Sequence, residues 1–173
     1  MRYNFNTDRL TLSRLDLDDA SFIYELVNSE GWLQFIGDRN VKNITDAKDY
    51  VQRIKDNENV TYWVVRTIIE TVPIGIITLI KRDYLEYSDI GFAFLSEYMG
   101  KGYAYEGALA VLNGITNDLL YPRLLAITVG ENVNSIKLLE KLGFRAVSEI
   151  VQEGEVLKLY STQYIGSEKI EYL

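Results

Sequence analysis

Cysteine and histidine are both absent from the 173-residue chain. Without cysteine there is no disulfide, no thiolate zinc site and no thiol nucleophile. Without histidine, serine–histidine–carboxylate hydrolysis, HExxH zinc sites and imidazole proton shuttles are excluded. Acid–base work is left to Asp, Glu, Tyr, Lys, a chain terminus or ordered water. Proline occurs only at Pro73 and Pro122. No repeat, low-complexity tract or proline-rich linker divides the chain, so residues 1–173 are expected to form a single domain. Long apolar runs are missing as well. The longest largely apolar stretch, Val72 to Ile80, has nine residues, half of what a membrane-spanning helix needs. The opening Met1-Arg2-Tyr3-Asn4-Phe5-Asn6 carries no apolar core of a secretory signal, and a cytoplasmic location is expected.

Positive charge is also in short supply, with 18 Lys and Arg against 25 Asp and Glu, a net charge of −7. An acidic field disfavours nucleic acid, whose binding rests on neutralised phosphates. It mildly favours a cationic partner such as an amine, and it serves solubility equally well. Neither a nucleic-acid nor a membrane partner is expected. Hydrophobic residues at 47% and charged residues at 25% are ordinary for a folded domain. A domain of this size buries roughly 70% of its unfolded surface, enough for a core without covalent or metal staples.

The pattern of residues predicts the elements. Arg9 to Leu15 alternates apolar and polar residues as a half-buried strand does. Leu17, Ala20, Ile23, Tyr24 and Val27 follow helical spacing, with Asp16 or Asp18 as cap. A second helix is expected from Asp46 to Asp56, whereas Trp32 to Gly37 is apolar but too irregular to assign. Thr61–Ile69 and Val72–Lys81 read as a hairpin turning at Glu70-Thr71. A strand over Tyr87–Leu95, a helix over Tyr103–Leu119, a strand over Leu124–Val129 and a helix over Ser135–Leu142 stopped by Gly143 follow. Strands at Phe144–Val151 and Val156–Tyr164 close the chain around a turn at Gly154. This order predicts an α/β (α+β in some schemes) fold with a central, mainly antiparallel sheet and one right-handed strand–helix–strand crossover over residues 87–129.

Two segments carry chemistry. In the first, the strand Asp89-Ile90-Gly91-Phe92-Ala93-Phe94-Leu95 leads through Ser96-Glu97-Tyr98 to Met99-Gly100-Lys101-Gly102-Tyr103-Ala104, where a helix starts. Glycines two apart let the backbone approach a ligand, and the free N–H groups of the helix start favour an anion such as a pyrophosphate. The same glycines also suit a plain tight turn. The Walker A pattern fails because Tyr103-Ala104 follows Gly102, and the dinucleotide fingerprint fails because Tyr105 stands where its third glycine belongs. In the second segment, Val129-Gly130-Glu131-Asn132-Val133-Asn134-Ser135 leads into Lys137 and Leu142-Gly143-Phe144. Asn132 or Asn134 also reads simply as a helix cap.

Within the 56 residues from Asp89 to Phe144, the glycine turn, helix, strand, Asn-x-x-Ser helix and Leu-Gly-Phe occur in fixed order. This combination resembles the GNAT superfamily of acyl-CoA-dependent N-acetyltransferases, whose pyrophosphate loop reads [QR]-x-x-G-x-[GA]; here Met99 takes the Gln/Arg position. The opening Thr7-Asp8-Arg9-Leu10-Thr11-Leu12, with Leu17-Asp18-Asp19-Ala20 and Gly37-Asp38, looks like the ribosomal-protein N-terminal (Rim-type) branch.

The resemblance implies a sheet with a splayed parallel strand pair and acetyl-CoA as cosubstrate, with no metal. It implies that backbone groups of Phe94 and Leu95 pair with the pantetheine arm. The N–H groups of Met99, Gly100, Lys101, Gly102, Tyr103 and Ala104 hold the pyrophosphate, Asn132 holds the pantetheine arm, and Lys137 reaches a phosphate. Asp89 stands where many relatives carry a glutamate and is the candidate base; it also reads as a solvated strand-end carboxylate. The usual tyrosine before Glu-Lys-Leu-Gly-Phe is Leu139 here, and the resemblance implies Ser135, matching the serine proposed as the acid in Rim-type enzymes, as the candidate acid. The acceptor is expected to be a protein N-terminal amine or a small amine, bound between residues 17–56 and the last hairpin, walled by Trp32, Phe35, Tyr84, Tyr87 and Tyr160. The alternatives are a polyamine or aminoglycoside-type acceptor, or an acyl-CoA-binding module without chemistry. Either a monomer or a homodimer is compatible with the sequence.

Overall fold

A computed structural model describes residues 4–116 and 121–162. Its eight strands form one sheet in the order β1-β2-β3-β4-β5-β6-β8-β7. In chain order these are β1 (Phe5–Asn6), β2 (Leu10–Arg14), β3 (Val60–Thr67), β4 (Pro73–Ile80), β5 (Asp89–Phe94), β6 (Leu125–Val129), β7 (Arg145–Gln152) and β8 (Glu155–Ser161). The helices are α1 (Ala20–Val27), α2 (Glu30–Phe35), α3 (Ile44–Asp56), α4 (Tyr103–Thr116) and α5 (Val133–Lys141). Every neighbouring pair is antiparallel except β5 and β6, which run parallel. The mainly antiparallel sheet with one parallel pair, expected from the sequence, is the observed architecture.

Successive side chains of a strand point to opposite faces, and this sheet buries both. On one face Trp63, Val65, Ile77, Leu79, Ile90 and Phe94 pack with Ala108, Val111, Leu112 and Ile115 of α4. On the other, Tyr62, Val64 and Ile76 pack with Ile23 and Val27 of α1 and with Ala47 and Val51 of α3. Burial on both sides explains why Val72–Ile80 is almost continuously apolar rather than alternating.

Local chemistry sets the boundaries. Asp16 accepts the Leu17 N–H at 2.6 Å while Asp19 accepts the Asp16 N–H at 2.9 Å, a reciprocal cap before α1. Asn43 accepts the Asp46 N–H at 3.0 Å, so α3 starts two residues before the expected Asp46. The unassigned Trp32–Gly37 stretch contains most of α2; Trp32 is buried and its ring N–H donates to the Gly37 carbonyl at 3.1 Å. The two-residue β1 was not expected; its Phe5 ring meets Trp63 edge-on at 5.7 Å. The end of the expected helix, 117–119, and Tyr164 lie outside the described residues.

One close approach ties β4 to β5. A Cβ on Gly75 would lie 2.5 Å from Phe94 Cγ and 2.7 Å from the Ala93 carbonyl oxygen. Only glycine fits there. Gly75→Ala is expected to cost about 1–3 kcal/mol through overpacking, lowering the melting temperature by roughly 2–12 °C as read by calorimetry.

Candidate active site

The parallel pair is the place where the sheet comes apart. Strands β5 and β6 share one register pair, Asp89↔Leu125, supported by the Leu125 N–H donating to the Ser88 carbonyl at 3.0 Å. Beyond it they diverge. On its other side β5 pairs with β4 without a register break from Asp89 to Phe94, and the Leu95 N–H donates to the Ile74 carbonyl at 3.0 Å. Backbone groups alternate sides along an antiparallel ladder. Those of residues 91, 93 and 95 therefore face β4, and those of Phe92 and Phe94 face the gap. The expectation of Phe94 and Leu95 as the exposed edge is corrected to Phe92 and Phe94, because the Leu95 N–H is already spent on Ile74.

The glycine loop lies at the open end of this gap. A single 3-10 turn, Ser96–Tyr98, follows β5, and the Met99 N–H closes it on the Ser96 carbonyl at 3.2 Å. Met99 therefore has no N–H to offer an anion, a second correction to the expected set. Gly100 and Gly102 adopt φ of 71° and 81°, a left-handed conformation that side chains disfavour. The first helical hydrogen bond of α4 runs from the Glu106 N–H to the Gly102 carbonyl at 3.0 Å. The N–H groups of Tyr103, Ala104 and Tyr105 precede it and have no helical acceptor. Lys101 is exposed, its ammonium 5.5 Å from the Tyr98 ring centre. The half-exposed Met99 reaches toward α2, where its Cε lies 3.7 Å from the Cβ position of Gly31.

Helix α5 begins beside the end of β6 in the same way. Asn132 caps it, accepting the Ser135 N–H through Oδ1 at 3.1 Å. Ser135 is partly buried in the first turn and Lys137 is exposed on the second. Leu139 is 1% exposed in the core under α4, so the tyrosine position of the family motif is filled with packing and holds no hydroxyl. Two helix N-termini, with their partial positive charge, thus stand at the carboxyl ends of the two splayed strands, where open α/β sheets take their ligands. Among the described residues no group of three His, Cys, Asp or Glu side chains is gathered for a metal.

Asp89 is not a solvated carboxylate. It is 2% exposed and faces the α1/α3 side of the sheet, at the closed end of the gap. Arg82 donates to both of its oxygens, through Nε at 2.7 Å and Nη2 at 3.3 Å. Burial pushes the Asp89 carboxyl above the usual aspartate value, against the pull of the Arg82 hydrogen bond and charge. Of the expected acceptor walls, Trp32 and Tyr160 are core residues, 4% and 3% exposed, while Phe35 and Tyr87 are half-buried and Tyr84 is exposed. Phe92 and Arg82 are not among the residues the sequence singles out for the site. The alternation of the strand and the seven-residue spacing from Arg82 to Asp89 were the signals for them.

A family model for the acetyltransferase (GNAT) domain matches residues 9–145, and the chain belongs to that family. It is 28% identical over 142 residues to the uncharacterized N-acetyltransferase YnaD of Bacillus subtilis (strain 168), with 82% of each chain covered. Among solved structures, the ribosomal-protein-S5-alanine acetyltransferase of Vibrio fischeri superposes with a TM-score of 0.80 at 20% identity, over 96% of this chain and 99% of that one. The aminoglycoside acetyltransferase AAC(6')-Ib, solved in complex with coenzyme A, superposes with a TM-score of 0.75 at 19% identity, over 90% of this chain and 94% of that one. The structural likenesses show a shared fold. Family and relatives together make the protein an acetyl-CoA-dependent acetyltransferase.

Arg82→Ala leaves Asp89 buried without its cation, an expected loss of about 3–5 kcal/mol near neutral pH. A carboxyl whose folded pKa is raised above its unfolded value costs stability as pH rises through the folded pKa. The deficit of the variant should therefore shrink as pH falls from 8 to 5, measured by urea unfolding at each pH.

Proposed function

We propose that the protein transfers an acetyl group from acetyl-CoA to a primary amine by direct attack on the thioester, and that the acceptor is an α-amine, as at a protein N-terminus or on a small molecule. The observation that carries this reading is the one-sided pairing of β5, which leaves an open strand edge leading to the glycine loop. A pantetheine arm carries amides that can pair with such an edge as an added strand does.

In this reading the backbone groups of Phe92 and Phe94 hold the arm and face the negative charge that develops on the thioester oxygen. The N–H groups of Gly100, Lys101, Gly102, Tyr103 and Ala104 take the pyrophosphate. Asn132, whose Oδ1 is engaged in capping, offers its Nδ2 to the arm, and Lys101 and Lys137 offer charge to the phosphates. When bound, acetyl-CoA supplies the activated acyl group and the thiolate leaving group. Ser135 in the first turn of α5 relays a proton to that thiolate, donating its own and regaining one through water from the amine as the amide forms.

Removal of the amine's own proton decides the acceptor class. Both oxygens of Asp89 are held by Arg82, so its part in proton removal runs through water and favours an amine that arrives neutral. An α-amine with a pKa of about 7.7–8.0 is roughly 10–20% neutral at pH 7, whereas a lysine-type amine at about 10.4 is neutral only about four times in ten thousand. The Thr7–Leu12 opening and the likeness to the Vibrio fischeri ribosomal-protein enzyme support the same Rim-type reading.

Two measurements test it. Acetyl-CoA at about 100 times its dissociation constant should stabilise the fold by roughly 2.7 kcal/mol, a rise of roughly 5–11 °C in melting temperature, with little effect from ATP. The absence of any shift at millimolar acetyl-CoA would remove the coenzyme site. On the acceptor side, N-terminal peptides should turn over faster than spermidine or an aminoglycoside. With the preferred acceptor, Ser135→Ala should lose roughly 100- to 10,000-fold in kcat, and a rate within a few-fold of wild type would free Ser135 from that role.

A further inference from the structure

The glycine loop is held from outside by a side chain that arrives from the other end of the domain. Arg9 stands just before β2, and its Nη1 donates to the Lys101 carbonyl at 3.1 Å. Its Nε donates to Glu106 Oε2 at 2.6 Å, and its backbone N–H donates to Glu106 Oε1 at 3.1 Å. Thr7 Oγ1 donates to the same Oε1 at 2.6 Å. The guanidinium carbon lies 4.6 Å from the centre of the Tyr103 ring, and Nη2 is 3.4 Å from the Cβ position of Gly102. One planar fork therefore touches the loop carbonyl, the second loop glycine, the first residue of α4 and a carboxylate one turn further on. A lysine's single ammonium cannot make that set of contacts.

These bonds are charge-assisted and stronger than neutral ones. Partial burial works to raise the Glu106 carboxyl, but the hydrogen bonds from Thr7 and Arg9 and the Arg9 charge outweigh it and hold the group below the ordinary glutamate range. Elsewhere the loop has little to fix it: Met99, Gly100, Lys101 and Gly102 are all exposed, and left-handed glycines resist no other conformation. The Arg9 guanidinium fixes the orientation of the Lys101 carbonyl.

We propose that Arg9 and Glu106 are positioning residues for coenzyme binding, clasping the glycine loop in its anion-receiving conformation before the ligand arrives. This rests on the coenzyme A reading of the loop given above.

The test is titration calorimetry with coenzyme A on wild type, Arg9→Gln, Arg9→Lys and Glu106→Gln, with hydrogen exchange of the 96–105 segment in the unliganded proteins. Lys55→Ala, which removes the distant 3.0 Å pair with Asp16, is the control for loss of a surface ion pair. The Arg9→Gln and Glu106→Gln variants should bind coenzyme A about tenfold more weakly, a loss of about 1.4 kcal/mol. Exchange should quicken at 96–105 and stay unchanged at 133–141. Arg9→Lys should recover less than half of the lost affinity on a logarithmic scale, and Lys55→Ala should match wild type. Wild-type affinity and exchange in both Arg9→Gln and Glu106→Gln would overturn the clasp and leave the coenzyme reading standing. If wild type itself takes up no coenzyme A, the coenzyme reading fails and the clasp proposal falls with it.

Discussion

Backbone N–H and C=O groups inside a folded chain have to be paired, and a sheet ordinarily pairs them strand to strand. This sheet stops doing so at one place. Each of the two strands involved is fixed by its outer neighbour. Strand β5 is in register with β4 over its whole length and packed onto Gly75, and β6 is paired with β8 from Leu125↔Ser161 to Val129↔Leu157. Neither is free to swing across and meet the other, so the edge at Phe92 and Phe94 stays open. The loop after β5 and the cap before α5 acquire their position from that divergence, since each simply continues a strand that points away from its partner.

The order of elements was legible because it rests on local signals: alternation in β2, the β-branched runs of β3 and β4, the helical spacing of α4, and Gly143 as a stop. Asp16 as a cap was legible for the same reason. Helix α2 was not, because only six residues form it and a single buried ring, Trp32, holds it in place. The glycine turn before α4 and the Asn132–Ser135 cap of α5 stand where the motif expects them along the chain. Which N–H groups remain available there depends on hydrogen bonds formed in three dimensions. The Leu95 N–H is taken by the carbonyl of Ile74, twenty-one positions earlier on β4, and no one-dimensional pattern reveals it. The Met99 N–H is lost to a turn whose geometry glycine spacing does not specify.

The treatment of Asp89 follows from the same limit. A carboxylate at a strand start reads from sequence as exposed, because strand ends generally are. Here the β4–β5 connection folds the half-exposed Arg82 back over it, and the carboxylate becomes part of the domain's interior. In a chain without histidine this removes the most obvious titratable group from direct contact with an incoming amine. On the proposed reading, the reaction then favours an acceptor of low basicity, one that arrives neutral.

The Arg9–Glu106 contact joins residues 97 apart in sequence. The β3–β4–β5 meander joins near neighbours through short turns and carries a small closure entropy, whereas the clasp closes a long loop. On a ribosome adding roughly 5–20 residues per second, Arg9 is made roughly 5–20 s before Glu106 exists. During translation the segment leading into β2 therefore waits on a helix that has not yet been synthesised, and the glycine loop gains its support only after the strands before α4 have been made.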